Sequence, residues 1–156
     1  GLNWHRPTRD LAWGTALAAG IGLPGLAFYW LGRRLGITVH IETSTLHKLW
    51  WTVPVLIMVA ITNGLLEEVI VVAYLVQRLE ERGWAIVWIV VTSAVLRGTY
   101  HLYQGFGPFI GNAVMGVVMI WWYRRHRRVA PLVIAHSLLD IVAFIGPSLV
   151  PTAWLG

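Results

Sequence analysis

The chain has 156 residues, 57% of them apolar and only 12% charged, with a mean hydropathy of +0.66. Soluble domains carry about 45–50% apolar and about 25% charged residues, so a water-soluble globule is excluded, and the lack of cysteine excludes disulfides, thiolate metal sites and cysteine nucleophiles. A pI near 10.2 would suggest nucleic acid in a soluble protein, but here the net charge of +5 comes from clusters between apolar runs, which read as membrane topology and leave no nucleic-acid partner expected.

Residues 11–31 are free of charge over 21 residues, long enough to cross a hydrocarbon core of about 30 Å as a helix, and form the first predicted span. The chain opens on Gly1, not Met, and its first apolar run has no convincing small-residue cleavage site, the pattern expected of a mature or trimmed product. Residues 33–48 are polar and mixed, an interfacial helix or a loop. The second span, 49–77, is apolar apart from Asn63, Gly64, Glu67, Glu68 and Gln77, and is too long to stand perpendicular, so it must tilt, break or protrude.

The third span, 83–104, is interrupted by Arg97 and His101, and the turn Gly105-Phe106-Gly107-Pro108 separates it from the fourth, 109–123. Gly107 and Gly111 have the spacing of a close helix contact. A basic loop, Arg124 to Arg128, precedes the fifth span, 129–150. The expected fold is all-α, a single polytopic membrane domain over 1–156 with about five transmembrane helices. With that loop in the cytoplasm, alternate crossings put Arg6, Arg9, Arg78 and Arg82 on the same side, so the N-terminus lies in and the C-terminus out. A lipid-headgroup site is the alternative reading of the same arginines. Trp50, Trp51, Trp121 and Trp122 are expected in interfacial belts.

Six ionisable residues fall inside the spans: Glu67, Glu68, Arg97, His101, His136 and Asp140. Each is costly in lipid, about 2.5–3.5 kcal/mol for a central Asp or Arg, so together they call for one shared polar interior. Positions i and i+4 share a helix face, which aligns Asn63 with Glu67, Arg97 with His101, and His136 with Asp140. Two histidines with one or two carboxylates suit a divalent metal; they equally suit a water activated by a general base beside a protonated imidazole that stabilises an oxyanion. A structural salt bridge and a proton or ion pathway compete for the same residues.

In this order the motifs resemble the CPBP family of intramembrane proteases, which includes CAAX prenyl endopeptidases and bacteriocin-processing or self-immunity proteins. The resemblance covers 63–145. The family's first motif is two adjacent Glu with an Arg four places on; Glu67-Glu68 fits, and Val72 stands where the Arg belongs. Arg97 and His101 fit the second motif, and His136 and Asp140 the third. The resemblance implies an intramembrane endopeptidase in which Glu67 and His101 activate a water while His136 and Asp140 stabilise the oxyanion, with Glu68, Arg97 and Asn63 in support. It also implies, for a metal-dependent member, a divalent ion such as zinc on Glu67, His101 and His136. Arg97 is expected to replace the missing arginine from the neighbouring helix, pairing with Glu68 and leaving Glu67 free. The partners expected are the bilayer, a membrane-bound peptide or protein substrate, prenylated or leader-bearing, and a membrane protein on a Trp-rich surface; the location expected is a bacterial cytoplasmic membrane. The alternatives are a non-catalytic membrane subunit that scaffolds a partner and a small proton-coupled transporter.

Overall fold

The computed structural model describes residues 5–38 and 49–149, so most of the predicted polar segment 33–48 and the last residue of the fifth span lie outside the described residues. Within them the chain forms five helical rods. Helix α1 is Pro7–Arg34; α2 (Thr52–Glu67), a π-helical segment (Glu68–Tyr74) and α3 (Leu75–Glu81) make one continuous rod; α4 is Ile86–Tyr100, α5 Phe106–His126 and α6 Ala130–Leu149. Four rods are long and apolar enough to cross a membrane.

The predicted third span is shorter than expected. Ala85 is extended (φ −64°, ψ 141°) and the α-helix ends at Tyr100, because His101 (φ −99°, ψ 1°) leaves helical geometry and leads into a 3₁₀ turn, Leu102–Gln104, closed by Gly105 at φ 108°. At 15 residues α4 is about 22 Å long, less than the hydrocarbon core. The second span has about the expected length but lies further along the chain: Thr52–Glu81 is 30 residues of continuous helix, with a π segment in the middle.

Contacts at both ends set the helix directions. Asp10, in the first turn of α1, accepts from Arg128 Nε (2.9 Å) and Nη2 (2.5 Å) just ahead of α6. Glu80, near the end of α3, binds Arg124 at 2.9 Å and Arg127 at 2.8 Å, at the end of α5 and just beyond it. At the opposite end the Gly107 N–H donates to the Ile37 carbonyl (2.7 Å), joining the exit of α1 to the entry of α5. Successive rods therefore alternate in direction, and Arg9, Arg78, Arg82 and Arg124–Arg128 gather at one end. Exposed Trp84, Trp88 and Trp121 lie at that end and Trp30, Trp50 and Trp51 at the other. Trp122, expected in a belt, is instead buried: its ring stacks on His126 at 3.9 Å and packs against Trp13 at 5.0 Å.

An apolar core that includes Val72, Val76, Ile89, Met119, Ile120 and Leu132 fills the half nearer the basic end. The close helix contact predicted at Gly107 and Gly111 falls elsewhere: Gly107 faces Thr38, and Gly111 is at ordinary distance from Phe28. Helices cross tightly at Gly14, Gly64 and Gly98; at Gly64 a β-carbon would meet Ser137 Oγ at 2.6 Å and the Val133 carbonyl at 3.1 Å, so glycine is what lets α2 approach α6.

Candidate functional site

The polar residues of three rods meet beyond that apolar core. Glu67 closes α2 and Glu68 opens the π segment, whose wide turn sits against α4; the buried Ser93 hydroxyl of α4 donates to the Val71 carbonyl at 2.9 Å. Such π turns concentrate at functional sites. From α4, Arg97 projects inward past Gly116 of α5, where a β-carbon would lie 3.2 Å from the arginine's Cδ. From α6 come His136 and Asp140, one turn apart.

At the centre is a fully buried ion pair. Arg97 Nη2 donates to Glu68 Oε1 at 2.6 Å, and both side chains are 0% exposed. The same oxygen accepts from His136 Nδ1 at 2.8 Å. A carboxylate is an acceptor, so this contact places the Nδ1 proton and turns Nε2 toward the other acids. A charge pair removed from water holds together only with good geometry and further hydrogen bonds, and the imidazole supplies one here. Glu68 Oε2 and Arg97 Nε have no partner among the described residues. The arginine missing at Val72 is thus supplied by Arg97 from the neighbouring helix, while Val72 is itself fully buried in the apolar core.

Glu67 sits differently. Its side chain is 20% exposed, and its Oε2 lies 3.9 Å from both Arg97 Nη1 and His136 Nε2. It is not free, because the Tyr100 hydroxyl donates to Oε2 at 2.5 Å. His136 Nε2 is also 3.6 Å from Asp140 Oδ1, and Asn63 Nδ2 donates to Asp140 Oδ2 at 3.4 Å. Separations of 3.6–3.9 Å are too long for direct hydrogen bonds, so His136 Nε2 faces both acids without a direct bond to either.

The structure thus brings Glu67, Glu68, Arg97, His136, Asp140 and Asn63 together. It does not bring His101 to them by hydrogen bond or ion pair among the described residues. Beyond the end of α4, that imidazole donates from Nδ1 to the Arg97 carbonyl (3.0 Å) and packs on the Tyr100 ring at 4.8 Å. Tyr100 is the residue that sequence reasoning missed. The signal available was its place three residues after Arg97, on the same helix face.

The ligand set considered for zinc, Glu67, His101 and His136, is not assembled: no three His, Asp or Glu side chains among the described residues converge closely enough to hold a metal ion. The Arg97 guanidinium, 3.5 Å from His136 Nδ1, repels a second cation brought to this ring. The residues as arranged do not fit the ion, and no step below runs through one.

Residues 49–142, more than half of the chain, match the family described as type II CAAX prenyl endopeptidase, Rce1-like. The match starts just ahead of α2 and ends just past Asp140, so it contains the whole polar cluster and leaves α1 outside. No curated protein and no solved structure matches the chain. This integral membrane chain belongs to the Rce1-like family of type II CAAX prenyl endopeptidases.

Proposed function

We propose that the chain is an intramembrane endopeptidase that hydrolyses a peptide bond of a membrane-associated substrate, prenylated or leader-bearing, with water activated at Glu67. One observation carries this reading: of two adjacent carboxylates, Glu68 is sealed in an ion pair while Glu67 keeps 20% of its side chain exposed beside His136 and Asp140. Glu67 takes a proton from a water whose oxygen attacks the peptide carbonyl carbon. His136, as an imidazolium, donates from Nδ1 to Glu68 and from Nε2 to the developing oxyanion, with Asp140 against that edge of the ring. Glu67 then returns its proton to the leaving amine as the C–N bond breaks. Glu68 and Arg97 contribute position and charge balance. The positive-inside rule turns the arginine-rich end toward the cytoplasm, and a bacterial cytoplasmic membrane remains the proposed location.

The test compares neo-N-termini in membranes from cells carrying the native chain or Glu67→Gln at equal abundance. Termini that vanish with the variant support hydrolysis and reveal the substrate. Identical profiles with a folded variant reject it. They favour the second reading, a non-catalytic subunit that scaffolds a membrane partner on its exposed tryptophans. The observation on that side is His101, whose hydrogen bond and ring contact fall within its own segment, with no hydrogen bond or ion pair to Glu67 among the described residues.

A further inference from the structure

We infer that the furrow between α1 and α5 holds an anionic phospholipid, with one acyl chain lying along the helices and the headgroup among the arginines of the basic end. Helix α1 packs mainly on α6 and stands off α5. Between α1 and α5 lies a cavity of about 510 Å³, walled by Trp13, Gly20, Gly25 and Phe28 on one side and Gly111 and Trp122 on the other. It is hollow because two glycines leave it so: no atom lies within 4 Å of where a β-carbon would sit at Gly20 or Gly25.

The dimensions select the occupant. Trp13 and Phe28 are 15 residues apart, about 22 Å along the helix. That exceeds the roughly 15 Å that one leaflet contributes to the hydrocarbon core. Spread over that length, the cavity has a cross-section of about 23 Å², against about 80 Å² for the narrowest helix with its side chains. An extended hydrocarbon chain fits the furrow along its length.

The charge selects the headgroup. Trp13 and Trp122, 5.0 Å apart, form the mouth of the furrow, and His126 stacks on Trp122. Arg9 lies four residues before Trp13 and Arg125 three after Trp122, so each stands one turn above the mouth on the groove-lining face of its helix. The acids of this end are engaged elsewhere: Asp10 with Arg128, Glu80 with Arg124 and Arg127, Glu81 with Arg78. Arg9 and Arg125 are exposed and have no acidic partner among the described residues. A phosphodiester at the mouth answers them, and it would enter from the leaflet in which anionic lipid is rich.

The test uses the full chain, reconstituted in nanodiscs of phosphatidylcholine with a minor share of phosphatidylglycerol, re-extracted in mild detergent and analysed for retained lipid by mass spectrometry. Phosphatidylglycerol should be enriched severalfold over its bulk share. Arg9→Gln and Arg125→Gln should each reduce that enrichment by roughly fivefold, whereas Arg34→Gln at the opposite end should leave it unchanged. Gly20→Leu with Gly25→Leu should fill the furrow and abolish retention without unfolding, since leucine is a better helix former than glycine; circular dichroism melting checks the fold. Retained lipid at the bulk ratio, equal losses from Arg34→Gln, or retention untouched by the two leucines would each overturn the proposal. So would displacement of the lipid by an equimolar linear isoprenol, which would assign the furrow to an uncharged isoprenoid.

Discussion

Replacing Arg97 with glutamine removes the only cation within reach of Glu68 among the described residues apart from the His136 ring. Both members of the pair are 0% exposed and their contact is 2.6 Å, so solvent screens nothing and the carboxylate is left uncompensated. Removing one partner of such a pair costs about 3–5 kcal/mol. In a chain of this size 1 kcal/mol moves the melting midpoint by about 2–4 °C, so Arg97→Gln should lower it by about 6–20 °C in detergent. Neutralising both ends should recover most of the loss, because replacing a buried pair as a whole is often close to neutral. Arg97→Gln with Glu68→Gln should therefore melt above Arg97→Gln alone. Val72→Arg in the Arg97→Gln background places a guanidinium four residues beyond Glu68 and should recover part of the loss, reduced by about 1–3 kcal/mol of overpacking where a fully buried valine now sits. Melting by circular dichroism on all four proteins decides the matter. A shift under about 2 °C for Arg97→Gln, or double variants no better than the single one, would refute the reasoning.

Tyr100→Phe deletes the 2.5 Å hydrogen bond that holds the Glu67 carboxylate; hydrogen bonds to charged groups contribute about 1.5–3 kcal/mol to stability, so the melting midpoint should fall by about 3–12 °C, and cleavage of the substrate found in the termini screen should slow as Glu67 loses its fixed position. Glu67→Gln should abolish cleavage while melting like the native chain, whereas Glu68→Gln should lose both, and reversal of that pattern would exchange the roles assigned to the two acids. Gly64→Val should push α2 off α6 through contacts at 2.6 and 3.1 Å and cost more than about 2 kcal/mol, with the separation of Glu67 and His136 lost alongside; a neutral result in melting and cleavage would show that the crossing yields. Asp10→Asn should lower the melting midpoint by several degrees, since the 1% exposed carboxylate accepts two hydrogen bonds from Arg128, and Arg128→Gln should give the same loss without adding to it.

Apolar run length and the i,i+4 spacing of charges made the helical rods and the convergence of Glu67, Glu68, Arg97, His136 and Asp140 legible in the sequence, because a charge in lipid must find a partner whatever the details. The replacement of a missing arginine by Arg97 was legible for the same reason. The π segment was not: an extra residue per turn carries no compositional mark, and without it the relative facing of Glu67 and Glu68 cannot be read from a 100° rotation. His101 was expected on the inner face with Arg97, but that rule assumes the helix continues, and α4 ends one residue earlier. The shortening of the third span has the same origin, in backbone angles at Ala85 and His101 that hydropathy does not encode. The Asp10–Arg128 pair was hidden because surface-looking arginines next to a basic loop read as topology signals until tertiary structure seats an acid beside them.

The separations in sequence order the making of the molecule. Glu68 and Arg97 are 29 residues apart and can neutralise each other once α4 has left the ribosome. His136 lies 68 residues beyond Glu68, and Arg128 118 beyond Asp10, so the imidazole and the clasp between the starts of α1 and α6 must wait for α6. A nascent chain therefore carries its most costly charges already paired but lacks the ring nitrogen that faces Glu67 and Asp140. Whatever chemistry the cluster performs is withheld from a chain that stops short of α6 and begins only once that helix has been made.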